Sequence, residues 1–575
     1  MWYLEASRDL APGAEILREP ALVAGPKQVT TPVCLGCYKP LTAPPAAAAS
    51  SSSSNSRDDH DTSAAGADNK DSSSSSSSFS WCSCPGCGWP LCSLACATAA
   101  CHAESGECDA LSRGGGGGSG ERGKPPVMVK FKDASEPCPQ YECIIVLRAL
   151  LLRERDPLRW RLLMLLQSHD NAADAAGNEE EGNGPCVEDS PPAAAAAAAA
   201  DDDGGIQRPP ELVHYINVNI VSYIRDHLHL GDIFSGDIVR RVAGIVDINA
   251  FELKDGDRLY CGVFFMSAMM AHSCVVNTSH SLFLSKTDAE QQVQRDDDEE
   301  QQVLLVIRAT VPIPHNASIV TSYAPALDGT LARRPHLLRA KLFACTCARC
   351  ADPTELDTLF GAIRCCHASS GCTGALISEQ PLDDMASWAC SNAPDCDARM
   401  SVDDVLKAVD DVTRDVEKAG EDVVRLEQVL KTQRALADTH YVVFGVKASL
   451  AQLYGRVPRF LLRDLPAGLL KRKEQLCREV LDVLRVLEPG FSRMRGLLLY
   501  EFHAAVLMRV NALFDGDASP AECLPLLVEA RAALAESALI LGMEPARAVE
   551  GRIGRTAASQ VAELDDWIHR VGAIV

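Results

Sequence analysis

Cysteine spacing constrains this chain more than any other feature. Near the N-terminus run Cys34-x2-Cys37, Cys84-x2-Cys87, Cys92-x3-Cys96 and His102-x5-Cys108. A tight turn brings both thiolates of a CxxC pair to one ion, and a pair spaced by three shares one face of a helical turn. Four pairs give eight ligands, enough for two tetrahedral zinc ions. Interleaving is the expected geometry. Cys34, Cys37, Cys92 and Cys96 would hold one ion, and Cys84, Cys87, His102 and Cys108 the other. Cys82 and Cys101 are spare, and either could replace an assigned ligand. A second cluster, Cys345-x-Cys347-x2-Cys350, offers three thiolates, so a fourth ligand must come from elsewhere. A looser set, Cys365, Cys366, Cys372, Cys390 and Cys396, leaves a further metal site open.

Metal, rather than disulfide, is the expected use of the 24 cysteines. The opening MWYLEASRDLAPGAE carries charges at Glu5, Arg8 and Asp9 and no apolar stretch, so it does not read as a secretory signal. Unexported chains seldom hold disulfides. No window supplies 18 consecutive apolar residues, so no membrane span is expected. The formal charge of −23 opposes a general nucleic-acid binder, because neutralising phosphates needs surplus Lys and Arg. The residues Arg333, Arg334, Arg339 and Lys341 form a local basic patch, expected to face solvent or the acidic stretch Asp296 to Glu300. Cytoplasm and nucleus both stay open as compartments.

At 575 residues the chain is too long for one core, and several domains are expected. Four low-complexity segments, 46–80, 109–126, 170–206 and 286–302, lack apolar periodicity and read as insertions. Residues 13–33 read as β, 141–167 as helix and 211–230 as helix. From Gly244 to Tyr323 the runs are short and β-like, among them Gly244-Ile245-Val246, Gly262 to Phe265, Ser281 to Leu284 and Val303 to Ile307. After Ser401 the character becomes long helices. Val402, Val405, Val409, Val412 and Val416 make one stripe, with Gly420 as the stop. Later helices should begin near Pro466, Ser492, Ser519 and Glu544, giving a helical array.

Met269-Met270-Ala271-His272-Ser273-Cys274-Val275-Val276-Asn277, together with Ile319 to Tyr323 ahead of Cys345, resembles the SET-and-MYND (SMYD) family, especially its SmydA-like branch. The resemblance extends over Leu4 to Pro32, Cys34 to Cys108, Gly244 to Phe251 and Leu327 to Leu356. It implies an α+β multidomain fold: a SET-type β-rich methyltransferase core split by a MYND zinc finger, a Cys-rich post-SET segment and a C-terminal all-α, TPR-like array. The implied division is 1–33 for the first part of the SET domain and 34–108 for the finger. A linker covers 109–135, a helical insert 136–244 and the SET core 245–330. The post-SET and Cys-rich segment covers 331–400, and the helical domain 401–575.

The resemblance further implies S-adenosylmethionine as methyl donor and a protein lysine as acceptor. Tyr323 matches the family's catalytic Tyr. His272, Ala271, Asn249 and Phe343 match positions around the donor. Cys274 would join Cys345, Cys347 and Cys350 on a third zinc. The family's finger implies Pro-rich peptide partners. A lysine amine must shed a proton before it can attack a sulfonium methyl, and a desolvated channel lowers its pKa from about 10.4. The chain departs from the pattern in places. No Gly-x-Gly turn precedes Leu4, Ala271 stands where the family has Asn, and Val276 stands where it has Pro. Lys341 stands at a channel Tyr, where a cation would repel a lysine substrate unless it points away. These departures sustain an alternative, a non-catalytic zinc-dependent interaction scaffold.

Overall fold

A computed structural model describes residues 3–41, 81–99, 102–115, 137–169, 208–255, 258–284, 303–367, 371–516 and 518–574. The low-complexity segments 46–80, 170–206 and 286–302 lie outside the described residues, as do 116–126 and Cys101.

The architecture is mixed, strands and short helices first and long helices last. The strands are β1 (Glu15–Pro20), β2 (Val23–Pro26), β3 (Cys82–Ser83), β4 (Pro90–Leu91), β5 (Ala250–Asp255), β6 (Arg258–Val263), β7 (Ala271–His272), β8 (Thr278–Leu284), β9 (Val303–Ala309) and β10 (Val320–Thr321). A four-stranded meander follows: β11 (Ile363–Arg364), β12 (Ala375–Ser378), β13 (Trp388–Cys390) and β14 (Arg399–Met400). Two antiparallel three-stranded sheets, β1-β9-β8 and β2-β6-β5, form the β core. β9 reads VLLVIRA because it is central and covered on both faces. Leu305 and Ile307 face the main sheet core, while Leu304 and Val306 pack with Phe283. β7 and β10 pair in parallel, Val320 opposite Ala271 and Thr321 opposite His272. That short pairing lays the 320–323 segment beside the 271–274 loop.

Helices Tyr141–Arg155 and Gly236–Asn249 pack against β2 and β6, and the metal-type cysteines Cys34, Cys84 and Cys87 belong to the same buried cluster. Two sequence expectations need correction here. Gly244-Ile245-Val246 is not a strand; it lies inside the Gly236–Asn249 helix, whose buried residues Val239, Val242, Ala243, Ile245 and Val246 recur at helical spacing. Gly244 belongs there because a Cβ would meet the Ser168 carbonyl oxygen at 2.7 Å. The 141–167 helix is also two helices. Pro157 opens the second, Pro157–Met164, and Asp156 caps it by accepting from the Arg159 N–H at 3.0 Å.

The C-terminal region is helical as expected: Val402–Ala419, Val423–Thr432, Tyr441–Leu453, Ala467–Leu487, Arg493–Asp515, Pro520–Leu541 and Val549–Gly572. The last starts at Val549 rather than near Glu544. Consecutive helices share one core that includes Leu476, Leu498, Val506, Leu534 and Ala557. Gly554 lets the last helix approach its predecessor, since a Cβ there would lie 2.5 Å from the Leu541 and Gly542 backbone. Among the described residues, one helix, Arg493–Asp515, has the length and apolarity to cross a membrane. It sits between neighbouring helices, with buried Glu501 accepting from Lys473 Nζ at 2.7 Å.

Candidate functional site

Three of the four sulfur groups gather around the β core and the helix that follows it. In the first, the Sγ atoms of Cys34, Cys37, Cys92 and Cys96 all lie within 4.8 Å of one another. The second group, equally tight, is Cys84, Cys87, His102 and Cys108. There His102 Nε2 stands 3.4 Å from Cys84 Sγ and 3.5 Å from Cys87 Sγ. Both donor sets suit a closed, four-coordinate zinc. Cys82 lies in neither group.

A buried ion network joins these groups, and sequence reasoning missed it. His102 Nδ1 meets Glu107 Oε1 at 2.6 Å, and Glu107 is fully buried. The other Glu107 oxygen accepts from Arg148 Nε. Arg148 also donates to the Leu35 carbonyl, inside the first CxxC turn, at 2.9 Å, and to the Ala24 carbonyl of β2 at 2.9 Å. A carboxylate behind a ligating imidazole fixes its ring orientation. Here the same carboxylate also ties the second cysteine group to the first.

The third group is Cys274, Cys345, Cys347 and Cys350. Cys274 Sγ lies 3.5 Å from Cys350 Sγ and 3.9 Å from Cys345 Sγ. Hydrogen bonding with Cys345, Cys347 and Cys350 drives the Cys274 thiol far above its ordinary range, and the same kind of contact with Cys274, Cys345 and Cys350 drives Cys347 far below it. Four thiolates this close need a cation to ionise together. Around them lie two buried arginines. Arg333 Nη1 and Arg349 Nε both donate to Glu355 Oε2 at 2.9 Å, and Arg349 also donates to the Cys274 carbonyl at 3.2 Å.

Against this group lie His272, Tyr323 and Phe343. Their ring centroids are 5.3 Å (His272–Tyr323), 5.5 Å (His272–Phe343) and 6.3 Å (Tyr323–Phe343) apart. His272 is the link. Its Nδ1 accepts the Tyr323 N–H at 3.0 Å, which leaves the proton on Nε2, 3.2 Å from Cys274 Sγ. Burial lowers its pKa to about 4, so the ring stays neutral. The Tyr323 hydroxyl donates to the Met270 carbonyl, and burial pushes its pKa up. Asn277 completes the frame: its Oδ1 accepts from Val320 N and its Nδ2 donates to the Ser318 carbonyl, each at 2.8 Å. The HSC-x-x-N spacing marked Asn277, but its clamp across the chain was not legible without the parallel strand pairing.

Two other predicted positions stand apart from the trio. Ala271 contributes to β7. The Asn249 amide donates to the Ile245 and Gln167 carbonyls at 2.8 and 2.9 Å, so its donors are spent within the chain. Lys341 does not end in solvent. Its ammonium donates to the Ile248 carbonyl at 2.7 Å, at the C-terminal end of a helix, and burial holds its pKa below the ordinary lysine value. The expected basic patch is likewise not a surface. Arg333 and Arg334 are buried, with Arg334 donating to Asp384 and to the Cys345 and Leu382 carbonyls; Arg339 alone of the four is exposed.

A chain whose paired β sheets carry cysteine groups and a half-buried Tyr–His contact is a mixed helix-and-sheet protein with several groups able to hold zinc. No family model matches it. It is similar to the SET domain-containing protein SmydA-8 of Drosophila melanogaster. Isoform A is 28% identical over 273 residues, 46% of this chain and 54% of the relative. Isoform B is 26% identical over 273 residues, 46% of this chain and 55% of the relative. The chain thus spans about half the length of the curated relatives it matches. The likeness supports the resemblance to the SmydA-like branch of the SMYD family.

Proposed function

We propose that this chain is an S-adenosylmethionine-dependent protein-lysine N-methyltransferase of SET/MYND type, held together by three zinc ions. The observation that carries the reading is the bond from the Tyr323 backbone N–H to His272, and the contact of His272 with Cys274, which ties a candidate catalytic tyrosine to a thiolate group. The donor, when bound, supplies a sulfonium methyl. The ring faces of Tyr323 and Phe343 suit such a cation. Ala271 and Asn249 offer its polar end little, the one lacking an amide and the other having spent its own. Tyr323 would orient the amine through its hydroxyl, and rate would come from positioning and a water-poor channel. Lys341, turned onto helix carbonyls, is held away from an incoming lysine. The division of the chain into SET halves, finger, insert, post-SET segment and TPR-like array belongs to this proposal, as do a Pro-rich peptide partner for the finger and a cytoplasmic or nuclear setting. Isothermal calorimetry of the zinc-loaded chain against S-adenosylmethionine tests it: a heat of binding is expected, and none at high donor concentration would end the enzyme reading.

A second reading has its own support in Ala271 and in the spent amide of Asn249. Here the chain is a catalytically degenerate, zinc-dependent scaffold whose finger captures Pro-rich segments. Capture of a Pro-rich peptide that disappears on chelation is its expected signature. Capture indifferent to chelation counts against it.

A further inference from the structure

The fourth sulfur group lies outside everything used above. Cys365, Cys372, Cys390 and Cys396 bring their Sγ atoms within 4.8 Å of one another, with Cys365–Cys396 and Cys372–Cys390 each at 3.6 Å. Cys366, the fifth cysteine of this stretch, is exposed and takes no part.

Two independent features show a built site. First, three of the sulfurs accept a backbone N–H from the residue two positions on: His367 N to Cys365 and Gly374 N to Cys372 at 3.4 Å, and Asn392 N to Cys390 at 3.5 Å. Aimed N–H donors favour the thiolate over the neutral thiol. Second, Gly374 is a space requirement. A Cβ there would lie 2.5 Å from Cys390 Sγ, so any side chain at 374 would push the sulfurs apart. Asn392 Nδ2 adds a further donor to Cys372 at 3.6 Å.

We propose that these four thiolates bind a fourth zinc ion. An all-sulfur donor set selects a soft or borderline cation over magnesium or calcium, and four protein ligands leave no open position, so the site is structural. Its place in the fold says what it holds. The cysteines sit on and around the β11–β14 meander, whose Ile363, Leu376 and Trp388 share a buried cluster with Val405 and Val412 of the Val402–Ala419 helix and with Leu436 and Val443. The ion therefore braces the meander whose apolar side packs on the start of the helical region. This inference stands whether or not the chain transfers methyl groups.

Elemental analysis of the purified full chain should give four zinc ions, and three in a Cys372→Ser/Cys396→Ser double variant. An equal count in both proteins would overturn the proposal. So would peptides linked by disulfides between Cys365 and Cys396, or Cys372 and Cys390, in unreduced protein. Alkylation of the unmutated chain needs no variant to fold. Exposed Cys366 should react at once, and Cys372 only after a chelator is added. Equal reactivity of Cys372 and Cys366 in the zinc-loaded chain would sink the proposal as surely.

Discussion

Glu107 is a buried carboxylate serving two neighbours, the His102 imidazole and the Arg148 guanidinium. Glu107→Gln keeps the shape and removes the carboxylate charge that buried Arg148 faces. The expected cost is about 3–5 kcal/mol of stability. Zinc at the second cysteine group should also weaken about 10–100-fold, measured by competition with a chromogenic chelator. A second single-residue prediction concerns acid. His440 is fully buried, its Nδ1 accepts from Val442 N at 3.2 Å, its Nε2 meets no partner among the described residues, and burial lowers its pKa to about 3. An unfolded His titrates near 6.5. The native state therefore keeps its full advantage above pH ~6.5 and loses up to ~1.4 kcal/mol per unit as pH falls toward 3. Urea titrations across that range should show a shallower slope for His440→Asn. The two N-terminal cysteine groups were legible at this scale because CxxC turns announce ligand pairs locally. The Glu107–Arg148 pair was not, because 41 residues separate its members and no local spacing links them.

At the scale of the helix, Lys473 is the most demanding residue of the C-terminal array. It is fully buried, donating to the carbonyls of Ala451 and Tyr454, which end the Tyr441–Leu453 helix, and to Glu501 of the Arg493–Asp515 helix. One ammonium thus joins three helices. Lys473→Met retains the apolar stem and removes the charge, and Glu501 keeps Arg456 as a partner. A loss of about 3 kcal/mol is expected by urea unfolding. The double variant with Glu501→Leu should lose less than the two singles added together, because their cost is shared. The stripe Val402 to Val416 and the stop at Gly420 predicted their helix, since an amphipathic surface helix repeats its apolar residues every three or four. The same rule failed at Gly244–Val246. A helix buried on most sides shows a run of apolar residues, and a short run alone does not distinguish strand from helix.

Across the whole molecule the apolar interior divides in a way that predicts how the chain responds to losing metal. Cys34, Cys84 and Cys87 lie within the cluster formed by β2, β6 and the helices packed on them, and Cys274, Cys345 and Cys350 form a small cluster of their own. The large cluster of the C-terminal helices contains none of the residues of the four sulfur groups. Chelation should therefore disrupt the β region while most of the far-ultraviolet helical signal persists, and melting should separate into two transitions. A single transition with all helicity lost together would contradict this division. The central claim concerns Tyr323, fixed beside a thiolate group through His272. Transfer of tritiated methyl from S-adenosylmethionine to a lysine-peptide library, compared between the zinc-loaded chain and its Tyr323→Phe variant, tests that claim most directly. Incorporation by the native chain, falling about 10²-fold or more in the variant while donor binding is retained, is the predicted result. Incorporation equal in the two proteins, or absent from both, would contradict it.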